Sequence, residues 1–202
     1  MTNNKHTVRF APDDYTDGRA LLDWESKYTD KKARRNILFE SIYVVALLIV
    51  VPTLVFLIWL GIPKIWLPID EGGYEIFSRY AYAWLGGTFG GVLFVMKWLY
   101  HSVAKSIWHL DRRLWRLFTP HMSGGFAFAI VLLISSGIVQ ILDQDTLIKP
   151  SVCLSLGFIV GYFSDFAVAK LAEVAEVLLG VSRKENKLER KDPQLGASSP
   201  SE

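Results

Sequence analysis

Four uncharged apolar stretches divide the chain, and its cations are distributed around them by parity. Glu40 and Lys64 bracket 23 uncharged residues, Arg79 and Lys97 bracket 17, Arg116 and Asp143 bracket 26, and Lys149 and Asp165 bracket 15. Of the 22 Lys and Arg residues, 19 fall in the first, third and fifth polar segments. A segment crossing lipid must satisfy its own backbone hydrogen bonds, and short cationic loops resist translocation. The pattern therefore predicts an all-α polytopic membrane protein with four transmembrane helices and both N- and C-termini cytoplasmic. With 51% hydrophobic residues in 202, the chain carries more apolar surface than a one-domain soluble core absorbs. The net charge of +2 implies no nucleic-acid partner, since the asymmetry lies between loops and not in the total.

Segment boundaries follow from the same charges. Residues 1–35 are expected to form a cytoplasmic segment containing an amphipathic stretch with Leu21, Trp24 and Tyr28 aligned; it lacks the apolar core and cleavage site of a secretory signal. The membrane domain is predicted over 36–164, with spans at about 41–62, 79–98, 122–142 and 150–165. At about 1.5 Å per residue, the second and fourth fall short of a hydrocarbon core about 30 Å thick. A cytoplasmic helix over 165–181 and a disordered tail over 182–202 complete the reading.

No Gly or Pro interrupts Val92 to Thr119, and Pro120 leads directly into the third span. This predicts an in-plane amphipathic helix over 102–118 lying on the bilayer surface. At about 100° per residue, Val103, Ile107, Leu110, Leu114, Leu117 and Phe118 share one side, while Lys105, His109, Arg112 and Arg116 share the other. Together with Arg113, that basic stripe is expected to meet lipid headgroups or an acidic partner. Asp111 projects to the edge of the apolar face, where it calls for a cation from another helix or simply caps the helix.

Catalytic and metal chemistry find little support in the sequence. His101 and His109 are separated by eight residues, about 12 Å along a helix, too far to share a metal within one chain. No phosphate-binding loop, nucleophile elbow or paired carboxylates can be located, and the lone Cys153 excludes a multi-cysteine site. No enzyme activity, metal or cofactor is expected. Mid-bilayer positions carry no ionisable side chain, which argues against a proton relay.

The remaining signals concern packing and gating. Gly86, Gly87, Gly90 and Gly91 form two overlapping small-residue rows, and Gly157 and Gly161 repeat the device, so these positions are expected to let helices approach closely within a chain or between subunits. Ser135, Ser136 and Gln140 either bond between helices or line a lumen. Glu40, Lys97 and Asp165 are expected at one depth, as a charged girdle or gate or as groups that snorkel independently. Val168, Ala172, Ala175 and Leu179 form a coiled-coil-like seam for self-association.

The run Gly157-Phe158-Ile159-Val160-Gly161-Tyr162-Phe163-Ser164-Asp165, continued by Lys170-Leu171-Ala172-Glu173, resembles the last span of small four-span bacterial membrane proteins, among them effectors or membrane subunits of antiviral defence systems. The resemblance implies an oligomeric inner-membrane effector that permeabilises the membrane or acts as a channel under control of a cytoplasmic protein partner. The alternative is a non-conducting anchor that recruits a soluble enzyme or sensor through Arg112, Arg113 and Arg116. Partners expected on either reading are the bilayer, further copies of the chain and a cytoplasmic protein.

Overall fold

A computed structural model describes residues 26, 28–66, 68–139, 144–147 and 149–179. Leu21 and Trp24 of the N-terminal stretch, Gln140 and the 182–202 tail lie outside the described residues. Within them every regular element is helical: α1 Lys31–Trp59, α2 Pro63–Trp66, α3 Glu71–Ala104, a 3-10 turn Leu110–Arg112, α4 Arg113–Ser135, α5 Gln144–Leu147, α6 Pro150–Tyr162 and α7 Ser164–Leu179.

Two helical stretches, Lys31–Trp59 and Leu110–Ser135, are long and apolar enough to cross a membrane, and the pair α6–α7 is a third candidate if its two bent halves count as one span. The chain therefore has the helices of a membrane protein. The longest helix, α3, does not pass that test on its own composition, because its central stretch spends positions on glycine, Tyr and Trp. Those glycines give it another role, as the hub on which α1, α4 and α6 pack.

Adjacent glycine rows on α3 serve two neighbours. A Cβ on Gly86 or Gly90 would run into the backbone of Leu154, Phe158 and Tyr162 on α6, and one on Gly157 or Gly161 into the backbone of Ala83 and Gly87. On the other row, a Cβ on Gly87 would lie 2.6 Å from the Ser123 carbonyl of α4, and one on Gly91 2.7 Å from Ser123 Oγ. These six glycines bring helices together within one chain, where close backbone approach replaces side-chain interdigitation. Around them one cluster gathers Ile58, Tyr82, Ala83, Val131, Ile134, Leu147 and Cys153, and a second gathers Val44, Val92, Val95, Leu99 and Trp108.

α1 is less enclosed than α4: 17% of its apolar window is buried, against 39% for α4. Asp30 caps it by accepting the Lys32 and Ala33 N–H groups at 3.2 and 3.3 Å. Its far end closes in a Schellman turn, with Gly61 at φ +74° and bonds from Gly61 N–H to Ile58 and from Ile62 N–H to Leu57.

Two expected elements are rearranged. No helix runs from 102 to 118: α3 ends at Ala104, residues 105–109 are non-helical, and Pro120 lies inside α4. Ser106 takes φ +58°, its N–H bonds to Val103 and the Ile107 N–H to Ser102, so a serine occupies the slot a Schellman turn normally gives to glycine. The second change is at Phe163, where the axis turns by 99° between α6 and α7. With Gly161 pressed on Gly87, α6 cannot shift; α7 swings aside, and its Ala167, Leu171 and Val174 face Ile130, Leu133, Ile134 and Val139 at the C-terminal end of α4. The helix expected to run on past the membrane thus folds back toward the end of α4 remote from Arg116.

Candidate functional site

The most elaborate polar assembly lies where the start of α1 meets the α3–α4 connection. Arg116 Nε donates to Glu40 Oε2 at 2.7 Å, and Arg116 Nη2 donates to Glu40 Oε1 at 3.1 Å and to the His109 carbonyl at 3.1 Å. Trp108 Nε1 donates to Glu40 Oε2 at 3.1 Å, and its ring lies 5.5 Å from the guanidinium carbon. Glu40 is 1% exposed and Arg116 4%. The fork of the guanidinium meets both carboxylate oxygens, the arrangement that best offsets the desolvation of two buried charges.

Contacts on either side extend this clamp. Toward the N-terminus, Tyr28 stands edge-on to Trp108 at 6.2 Å; its hydroxyl donates to the Ser102 carbonyl at 3.4 Å and accepts the Trp108 N–H at 3.2 Å. Tyr28, three residues before α1, therefore holds the strained turn at Ser106 from both sides. One turn before Glu40, Asn36 Oδ1 accepts from Arg113 Nη1 at 3.2 Å, and the Arg113 guanidinium lies 4.9 Å over Phe39. Beyond Arg116, Tyr43 OH donates to the Leu117 carbonyl at 2.9 Å and lies 2.8 Å from His121 Nε2. Since the single phenolic proton is committed to Leu117, His121 Nε2 must be the donor to Tyr43.

Several expected groupings are not assembled within the chain. Lys97 and Asp165 are exposed and, among the described residues, form no ion pair with Glu40, so the girdle of Glu40, Lys97 and Asp165 is replaced by a pair with Arg116. The basic stripe loses Arg116 to burial and half of Arg113 to Asn36, leaving Lys105, His109 and Arg112 exposed, with Asp111 exposed and making no ion pair among the described residues. The physical reason is phase: a helix carried through 102–118 places Arg116 with the solvent-facing cations, whereas the break at 105–109 restarts the helical count. Glu40 was recognisable as a charge at a span boundary, but its partner was not. Tyr28 read as one member of an amphipathic stretch.

Polar residues of the spans bond locally. Thr88 Oγ1 donates to the Trp84 carbonyl at 2.9 Å and Thr119 Oγ1 to Trp115 at 2.7 Å, each within its own helix. Ser135 is the last residue of α4, and exposed Ser136 donates to the Leu133 carbonyl at 2.9 Å. Both sit at a helix end and not along the middle of a span. On α7, Val168, Ala172 and Ala175 are exposed while Leu171 and Val174 face α4, and Leu179 is the last helical residue. An apolar groove of about 570 Å³ separates α1 from α6, lined by Pro52, Val55, Trp59, Gly86, Ser155 and Phe158 among others. Among the described residues no group of three or more His, Cys, Asp or Glu is placed to hold a metal ion. Comparison with protein-family models, curated proteins and solved structures returns no match for this chain.

Proposed function

We propose that this chain is an oligomeric protein of the bacterial inner membrane that changes membrane permeability when a cytoplasmic partner acts on its cation-rich end. The observation that carries the reading is the Glu40–Arg116 pair, enclosed with Trp108 and coupled through Tyr28 to the turn at Ser106. A buried ion pair is weak support for stability, since desolvation cancels much of the attraction; its better use is to select one arrangement of helices over another. Here the pair selects the position of α1, a helix with a largely exposed apolar face. A partner that pulls on the segment before α1 would strain Tyr28 and Glu40 together and release α1 from α4.

In this reading α1, α3 and α4 cross the bilayer with the N-terminus cytoplasmic; a fourth crossing that also brings the C-terminus to the cytoplasm requires the α6–α7 pair to open from its 99° bend, which lays α7 against the far end of α4. The basic tail, with Arg183, Lys184, Lys187, Arg190 and Lys191, favours that side. Since the α3 glycines are occupied within the chain, a conducting path would form between subunits, along outward faces of α1, α4 or α7. The anchor reading has less support, because the docking surface of Arg112, Arg113 and Arg116 has surrendered Arg116 to Glu40.

The decisive experiment is membrane potential and ion leak after induction, with and without the genomic neighbours, for wild type and Glu40→Gln. The reading expects partner-dependent leak in the wild type and partner-independent leak in the variant. Unchanged permeability in every condition removes it. Reporter fusions at residue 202 test the topology: activity only on the outer side would make α6–α7 a re-entrant pair that does not cross.

A further inference from the structure

Arg116 is saturated by Glu40 and the His109 carbonyl, but Arg113, one turn earlier on α4, is not. Among the described residues its only hydrogen bond goes to the neutral Asn36, its Nε is enclosed without a partner, and no carboxylate pairs with it. A half-buried guanidinium without a counter-charge is incomplete, because burial raises the cost of an uncompensated ion. The guanidinium lies over Phe39, which is 50% exposed, and further along α4 Leu114 and Phe118 are 65% and 58% exposed. One turn before Asn36, Lys32 is exposed, as are Lys31, Arg34 and Arg35 beside it in α1 and Arg112 just before α4. Among the described residues, the carboxylates nearest these cations in the sequence are Asp30, engaged in capping α1, and the exposed Asp111.

We propose that the α1–α4 seam at this end binds the phosphate of an anionic phospholipid, with Arg113 as the anchoring cation and Lys32 as the second. The chemistry on the two sides of Arg113 selects a lipid over a soluble anion or an acidic protein. Cations lie on the side leading out of the membrane, whereas exposed Phe39, Leu114 and Phe118 line the side where acyl chains would run. A guanidinium with one edge occupied by Asn36 keeps donors for a phosphate oxygen, and the N-terminus of the 23-residue α4 adds a favourable field for an anion. Arg116 contributes nothing to this site, so lipid binding and the clamp are separable by mutation.

The test uses the full chain in nanodiscs of phosphatidylcholine alone or with phosphatidylglycerol added, reading the thermal unfolding midpoint. Phosphatidylglycerol is expected to raise the wild-type midpoint by a few degrees, as a ligand of the folded state does. Arg113→Gln loses that increment while keeping its midpoint in phosphatidylcholine; Lys149→Gln, at the opposite end, retains it. Lys32→Gln, which alters no buried group, is expected to reduce the increment and keeps the test valid should Arg113→Gln fail to fold. Equal increments in wild type, Arg113→Gln and Lys32→Gln overturn the proposal. So does reproduction of the increment by inorganic phosphate or glycerol 3-phosphate in phosphatidylcholine discs, since the site would then be one for soluble anions.

Discussion

Removing one partner of the Glu40–Arg116 pair leaves the other as a buried charge, and the structure allows the cost to be divided. In Glu40→Gln the amide oxygen still accepts the Trp108 indole N–H, but Arg116, 4% exposed, keeps its charge with no carboxylate. In Arg116→Met the converse holds: Glu40, 1% exposed, keeps its charge with only the indole as donor. Each single change should cost about 3–5 kcal/mol. The double variant carries no buried charge; its losses are the bond to the His109 carbonyl and some packing, about 1–3 kcal/mol. The double-mutant cycle should therefore return a coupling of about 3 kcal/mol or more. That value discriminates, because ordinary side-chain hydrogen bonds between membrane helices couple by about 0.6 kcal/mol and at most about 1.7. Equilibrium unfolding in mixed micelles, followed by Trp fluorescence and circular dichroism, supplies the four free energies. A coupling under about 1 kcal/mol would place the pair in water and refute the reasoning, along with the clamp built on it.

Three further outcomes follow from the backbone and the core. Ser106→Gly should stabilise the fold by about 0.5–1 kcal/mol, the relief of a left-handed serine less the extra entropy glycine loses, whereas Ser106→Val should destabilise it; a midpoint that does not rise for glycine would contradict the turn geometry. Gly161→Ala, whose Cβ would strike the Gly87 backbone, should cost more than about 3 kcal/mol, while Gly61→Ala, with nothing nearer than 3.9 Å and only φ +74° to bear, should cost about 1. Comparable losses at the two sites, measured by denaturant midpoint, would mean that α3 and α6 are not in backbone contact. Cys153, 1% exposed and directed at the Leu147 carbonyl at 3.3 Å, should resist maleimide in the native state and label only as the fold opens; prompt labelling would move α6 out of the core.

Linear patterns in the sequence determined much of this protein. Apolar run lengths between Glu40, Lys64, Arg79 and Lys97 locate the middles of α1 and α3, because an apolar helix is a property of its own segment, but not their ends: the helices begin earlier, at Lys31 and Glu71, and α3 continues to Ala104. The glycine rows at Gly86, Gly87, Gly90 and Gly91 also spoke for close helix contact before any fold was known, since only glycine permits it. They left open which helix each row would meet.

The tertiary structure decided the partners and the phase. Ser106 carries no sequence mark of a helix end; it adopts the left-handed turn because Tyr28 and Trp108 hold the connection there. Once the helix breaks, Arg116 turns from the expected solvent stripe toward Glu40, 76 residues away. The bend at Phe163 is likewise imposed from outside, by α6 locked on α3 and by α7 finding the end of α4. Periodicity reports which residues share a face only while the helix is unbroken. Where packing between distant segments breaks it, the direction a side chain takes is set by the neighbours that arrive, and those are not encoded in any local window.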